Sequence, residues 1–199
     1  MIDYKFWVHT VCGPWIEGPN STQYKVTFDK DTLFIVFEGS TSKLDWWQNF
    51  SFIQKAYKHS KVKLYAHRGF LKKYKGVREK INEIVLDKNP KKIIISGFSQ
   101  GAAIAILCHE DMKYLYPNKN VKTYAFGAPK VFWFKNLDKV WERFADLNLY
   151  LIKTDLIPTL PPSIFGYKRV GKIEWWKPIV SRFKIYDNHM SYGEVIQRG

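Results

Sequence analysis

Cysteine is nearly absent from this chain: Cys12 and Cys108 are the only two among 199 residues. Two are too few for a disulfide scaffold, and no Cys/His cluster stands at metal-ligand spacing, so neither cross-links nor a structural metal are expected to hold the fold. Long hydrophobic runs are lacking as well. The longest nearly apolar stretch, Ala102 to Cys108, falls far short of the roughly 20 residues that a bilayer-spanning helix needs. The N-terminal Met1-Ile2-Asp3-Tyr4-Lys5-Phe6-Trp7 has no basic segment followed by an apolar one, so no signal peptide is read there and synthesis as a cytoplasmic protein is expected. No internal repeat, low-complexity tract or Pro/Gly/Ser-rich linker divides the chain, which predicts one domain over residues 1–199.

Acidic residues are the other shortage. Eighteen Asp+Glu stand against 32 Lys+Arg, a net charge of +14 and a pI near 9.6. Such a surface attracts nucleic acid, anionic lipid and acidic polymers alike. The cations are spread along the chain, as in Lys55, Lys58, Lys61 and Lys63 or Lys72, Lys73, Lys75, Arg78 and Lys80, and form no basic tail. No helix-turn-helix, zinc-finger or aromatic RNA-binding motif accompanies them, which argues against nucleic acid as partner. Two readings remain: a solvated surface that keeps the protein soluble, or one that docks on an anionic membrane or another polyanion.

What is present is the composition of a packed protein, 46% hydrophobic and 17% aromatic. A chain of this length buries roughly 70% of the surface its unfolded form exposes. Leu33–Phe37, Ile93–Ile95, Tyr124–Phe126 and Leu149–Ile152 are short apolar runs bounded by charge, Gly or Pro, as buried strands are. Tyr24 to Phe28 alternates, Asp29-Lys30-Asp31 turns, and Thr32 to Phe37 returns, which predicts an opening hairpin. Phe70, Leu71, Tyr74, Val77, Ile81, Ile84 and Val85 recur at three- and four-residue steps until Asn89-Pro90 ends that helix. A second helix starts after Ser99, is apolar all round in its first turns, and stops at Tyr116-Pro117. Strands alternating with helices predict an α/β fold with a mostly parallel central sheet and helices on both faces.

Chemistry concentrates at Gly97-Phe98-Ser99-Gln100-Gly101, which follows the strand Lys92–Ser96 and opens the Ala-rich helix. Strand, sharp turn and helix are what a G-x-S-x-G nucleophile elbow requires. A side chain at Gly97 or Gly101 would collide with neighbouring backbone, while Ser99 is lifted above the end of the sheet. A serine hydroxyl needs a base to take its proton and a third group to orient that base. In α/β-hydrolases the chain order is Ser, then Asp or Glu, then His. His9, His59 and His67 precede Ser99 and His109 lies on the helix leaving it, so His189, read as lying on a loop, is the base candidate. For the acid, Asp155 stands just past the strand Asn148–Ile152; Asp146 precedes that strand, and Asp187 is the runner-up.

These residues are similar to the class 3 (fungal-type) lipases of the α/β-hydrolase superfamily, over roughly Leu33 to Tyr192. Five segments carry the resemblance in the family's order: Phe37-Glu38-Gly39-Ser40-Thr41-Ser42-Lys43-Leu44-Asp45-Trp46, Tyr65-Ala66-His67-Arg68-Gly69-Phe70, the elbow, Tyr124-Ala125-Phe126-Gly127-Ala128-Pro129-Lys130-Val131, and Thr154-Asp155-Leu156-Ile157-Pro158-Thr159-Leu160-Pro161-Pro162. The resemblance implies Ser99 as nucleophile, Asp155 as acid and His189 as base, with the backbone N–H groups of Ser40 and Gln100 as the oxyanion hole. It implies ester hydrolysis through an acyl-enzyme on lipid or small ester substrates, without cofactor or metal. Phe98 and Gln100 flank the serine where the family usually has His and Leu or Met, a form shared with carboxylesterases and acyl-protein thioesterases, so acyl-chain length stays open. Glu38 stands where Arg is usual, and His67 is read as structural. Trp46 and Trp47 either cover the site or insert at a lipid interface, or they are ordinary buried aromatics. Trp175-Trp176 carries the same pair of readings. A phospholipase A-type variant suits the basic charge, whereas a catalytically silent, lipase-like interaction module or polyanion-binding protein is the competing class.

Overall fold

The apolar runs form adjacent strands at the middle of one sheet. The structure, a computed structural model, describes residues 4–39, 53–60, 63–134, 142–179 and 185–198. Strands β1 (Ile16–Gly18), β2 (Thr22–Asp29), β3 (Thr32–Phe37), β6 (Lys92–Phe98), β7 (Asn120–Phe126), β9 (Leu147–Ile152) and β11 (Lys172–Trp176) make a seven-stranded sheet in the order β1-β2-β3-β6-β7-β9-β11. The pairs from β3 to β11 are parallel, while β1, β2 and β3 pair antiparallel. The predicted hairpin is β2–β3, with Asp29 opposite Thr32 and Lys30 in the left-handed region at φ 52°. A smaller antiparallel sheet in the order β10-β8-β5-β4 comprises β4 (Gln54–Tyr57), β5 (Leu64–His67), β8 (Phe132–Trp133) and β10 (Tyr167–Lys168).

Period-two alternation divides the central sheet into two cores. Ile93 and Ile95, Val121 and Ala125, and Leu149 and Leu151 join the larger cluster, together with α2 (Arg68–Lys88) and α3 (Gln100–Leu115). Phe126, Tyr150 and Ile152 face the other way and pack with Trp7 of α1 (Tyr4–Val11) and Tyr192 of α5 (Tyr192–Arg198). Helices therefore cover both faces. Of the periodic residues, Phe70, Leu71, Tyr74, Val77, Ile81 and Val85 are buried on α2 and Ile84 is half-buried; the helix ends where Asn89 turns left-handed at φ 40° before Pro90. Each such side chain stabilises the fold by about 1.5–3 kcal/mol on burial.

Helix α3 is buried from Gly101 to Met112, because α2 packs on it from outside. That burial extends past the apolar turns to His109, Glu110 and Asp111, and the two carboxylates are paired internally. Asp111 accepts hydrogen bonds from Tyr74 Oη at 2.7 Å and Arg78 Nε at 2.8 Å, and Glu110 pairs with Arg143 at 2.5 Å. Composition of the helix alone does not reveal these partners, which come from residues 33 to 37 positions away. Among the described residues no helix is long and apolar enough to cross a membrane.

Candidate active site

At the carboxyl end of β6 the chain reverses through Ser99 into α3. Ser99 takes φ 55° and ψ −120°, an unfavourable conformation for a residue with a Cβ. The turn is held by Ser99 N–H donating to Phe126 O at 2.9 Å and by Ala103 N–H donating to Ser99 O at 3.2 Å. Two glycines make the crossing feasible. A Cβ at Gly97 would stand 2.4 Å from the Gly101 carbonyl carbon, and one at Gly101 would stand 2.2 Å from Phe37 O.

The side chain so presented meets a base. Ser99 Oγ lies 2.8 Å from His189 Nε2, and His189 Nδ1 lies 2.7 Å from Asp155 Oδ2. A carboxylate only accepts, so Nδ1 carries the proton, which leaves Nε2 free to accept the serine O–H. The imidazole stacks on Phe98 with centroids 4.8 Å apart, and Ser99, His189 and Asp155 are all buried. His189 sits in a one-and-a-half-turn helix, α4 (Ile185–Met190), rather than on the loop read from sequence. The competing acids are elsewhere: Asp146 precedes β9 and pairs with Lys113 at 2.8 Å, and Asp187 is exposed.

Asp155 has further support that the sequence reading missed. Tyr192 Oη donates to Asp155 Oδ2 at 2.9 Å and accepts from Ile152 N–H at 3.0 Å, while Ile157 N–H donates to Asp155 Oδ1 at 2.9 Å. Burial, and then the neighbouring carboxylate, hold the Tyr192 phenol well above its ordinary pKa, so it remains a donor. The signal available was a tyrosine three residues after the histidine, with nothing in the sequence to say which way it points. The loop beyond Asp155 is also clamped. Four consecutive carbonyls are taken: Pro158 O by Arg169 Nη2 at 2.7 Å, Thr159 O and Pro161 O by Lys130 Nζ at 2.7 and 3.1 Å, and Leu160 O by Lys130 N–H at 2.6 Å. Burial, with Arg169 nearby, lowers the Lys130 pKa to about 8.

Gln100 is the first residue of α3, so its N–H is one of the donors that the helix itself leaves unpaired. Glu38-Gly39 passes alongside: a Cβ at Gly39 would lie 3.1 Å from Phe98 O and 3.7 Å from Ser99 Cβ. Burial raises the Glu38 carboxyl above its usual pKa. Ser40, Trp46 and Trp47 lie outside the described residues. His67 is buried at the end of β5 and caps α2, its Nδ1 accepting from Phe70 N–H at 3.5 Å, as a structural residue would. Trp175 and Trp176 lie on the edge strand β11, where Trp176 packs on Tyr150 at 5.1 Å. Among the described residues no group of three His, Cys, Asp or Glu side chains is arranged to hold a metal.

Residues 34–165 match the family model for lipase (class 3). The chain belongs to the class 3 lipase family. A lipase of Rhizomucor miehei is 30% identical over 153 residues, covering 73% of this chain and 41% of that protein. A lipase of Rhizopus oryzae is 29% identical over 180 residues, covering 81% of this chain and 43% of its own length. The chain thus spans less than half the length of these curated relatives. Among solved structures, a Rhizomucor miehei triacylglyceride lipase superposes with a TM-score of 0.70 at 25% identity, over 81% of this chain and 64% of that one. This class 3 lipase chain therefore has the α/β-hydrolase fold, with the strand-elbow-helix unit at its centre.

Proposed function

We propose that this protein is a serine hydrolase that cleaves carboxylic esters of lipids through Ser99, His189 and Asp155. The observation that supports this most directly is the unbroken hydrogen-bond chain from Ser99 Oγ through both imidazole nitrogens to Asp155. His189 Nε2 takes the hydroxyl proton as Ser99 Oγ attacks the ester carbonyl, and Asp155 stabilises the imidazolium that forms. The backbone N–H groups of Gln100 and Ser40 receive the developing oxyanion, each worth about 3 kcal/mol in the barrier. His189 then protonates the leaving alcohol, and water activated by the same nitrogen releases the acid. No step requires a cofactor.

Lipid as substrate class rests on the relatives, which are lipases by name, and a phospholipase A-type preference rests on the net charge of +14. Trp46 and Trp47 are proposed to meet the acyl chain or the lipid surface. Substituting them by Ala then lowers activity on dispersed lipid more than on a soluble ester. The test of the whole reading is hydrolysis of p-nitrophenyl esters from acetyl to palmitoyl and of phospholipid vesicles, wild type against Ser99→Ala. Activity that the substitution abolishes supports it, and its chain-length optimum separates esterase from lipase; activity that survives Ser99→Ala refutes it.

A further inference from the structure

The excess positive charge is not evenly distributed over the fold. The sequence contains no Asp or Glu between Asp45 and Glu79, between Asp111 and Asp138, or between Asp155 and Glu174. All four strands of the smaller sheet, β4, β5, β8 and β10, fall inside those three runs. Lys55, Lys58, Lys63 and Arg68 are exposed there, and Lys168 is half-buried with its ammonium 5.3 Å from the Phe134 ring.

The sheet's register separates its two faces. Lys55, Ala66, Phe132 and Lys168 are cross-strand partners on one side, and Ala66 and Phe132 there are buried in the core. Ala56, Tyr65, Trp133 and Tyr167 form the row on the opposite side, where Ala56 is exposed, Tyr65 and Trp133 are half-buried with their rings edge to face at 5.3 Å, and Tyr167 is buried, so the accessible part of the row is the stretch from Ala56 to Trp133. Beside this row stands the turn Ser163–Phe165, tied to β4 by Gln54 Nε2 donating to Phe165 O at 2.9 Å. It presents Ile164, 88% exposed, and Phe165, 49% exposed; Ile53, next to Gln54, is 51% exposed. Exposed aliphatic tips and interfacial aromatics, flanked by Lys58 and Lys63 and, at the two edges of the sheet, by Lys55 and Lys168 of the other row, make a surface complementary to anionic headgroups over acyl chains; the carboxylates beside the end of β4, Glu110 and Asp111, are buried.

Its place in the fold gives it a use. The strand β8 follows Gly127, where an added Cβ would lie 3.1 Å from His189 Cε1, and Ser163–Phe165 continues the loop that begins at Asp155. This surface therefore starts from the same end of the central sheet as the triad. Lysines on an edge strand also discourage edge-to-edge pairing, but the interior strands β5 and β8 lie in acid-free runs too.

We propose that the outer face of the small sheet, with the Ser163–Phe165 turn, docks the protein on anionic phospholipid surfaces and sets the triad beside the lipid. This deepens the hydrolase reading and rests on it for its purpose, but it is measured without turnover. The Ser99→Ala protein is co-sedimented with vesicles of phosphatidylcholine alone or with about one lipid in three replaced by phosphatidylglycerol. Binding at least roughly tenfold tighter to the anionic vesicles, and weakened by salt, is expected.

Adding Lys55→Gln, Lys58→Gln and Lys63→Gln lowers that partition roughly a hundred-fold. The charge-matched set Lys80→Gln, Lys88→Gln and Lys91→Gln, exposed residues paired with Glu83, Asp87 and Asp31, leaves it within about twofold. Thermal melting checks that each protein is folded, and Ile164→Asp, at a side chain with almost no packing to lose, provides a second lowering. Equal binding to both vesicle types, equal losses from the two lysine sets, or tighter binding to a single-stranded RNA of matched charge than to the anionic vesicles overturns the proposal. Absence of ester hydrolysis in the wild type, with anionic binding intact, instead removes the hydrolase reading and leaves the docking surface standing.

Discussion

Replacing Tyr192 by Phe takes one oxygen from the support of the candidate triad while keeping the ring that packs on Trp7 and Phe98. The lost oxygen serves two partners, Asp155 Oδ2 at 2.9 Å and Ile152 N–H at 3.0 Å. A hydrogen bond to a buried carboxylate contributes about 2 kcal/mol, and a stranded buried N–H costs about 1 kcal/mol more, so the variant is expected to lose about 3 kcal/mol. In a domain of this size that lowers Tm by about 6–12 °C. Asp155 keeps its bonds to Ile157 N–H and His189, so catalysis weakens without vanishing. The expectation is a fall in kcat of roughly tenfold, equivalent to about 1.4 kcal/mol in the barrier, at unchanged KM. Calorimetry and ester kinetics on the same preparation measure both. A Tm within about 1 °C of wild type together with an unchanged kcat would refute the geometry; a raised KM at constant kcat would mean that Tyr192 shapes the substrate pocket instead.

Lys130→Met strands two carbonyls of the clamped loop and is expected to lower kcat and stability together, while Lys130→Arg, which keeps a donor, restores most of both; parallel melts and kinetics distinguish the two. The Lys130 pKa in the fold, about 8, is below its unfolded value near 10.4. The folded state therefore holds fewer protons between those values, and the Lys130 contribution makes stability rise with pH across that window, a component that Lys130→Met removes from the pH dependence of unfolding. Fully buried His109, whose ring bonds Thr123 Oγ1 and Arg143 O, has its pKa pushed down to about 4. Stability is then lost as pH falls from about 6.5 to about 4, and denaturant titrations of His109→Gln are expected to show a flatter acid limb. Gly101→Ala drives a methyl into Phe37 O and Glu38 O and is expected to cost about 1–3 kcal/mol or more of stability and most of the ester activity.

The parallel strands and the two long helices were legible because their signals are local: apolar runs of strand length, a helical period, and Asn-Pro or Tyr-Pro stops. The candidate triad was nameable from sequence because the elbow's glycines answer to a single steric demand and chain order leaves few candidates for its partners. Tyr192, Lys130 and Arg169 were not, since each acts through a carbonyl or carboxylate that only the folded path of the Asp155 loop brings within reach. The His189 helix escaped notice for another reason. Six residues are too few to show a helical period, and α4 is adjacent to α5 and packs with it instead of standing alone. Likewise, the buried ionic turn of α3 depends on Arg78 and Arg143, supplied from distant segments.

The central claim is that Ser99 is an activated nucleophile, and covalent labelling tests it without assuming a substrate. Incubation of the protein with a fluorophosphonate, followed by mass spectrometry of peptides, is predicted to give one adduct per chain, on Ser99. His189→Ala is predicted to slow that labelling by orders of magnitude while leaving the protein folded. No adduct, an adduct on another residue, or labelling indifferent to His189 would contradict the account.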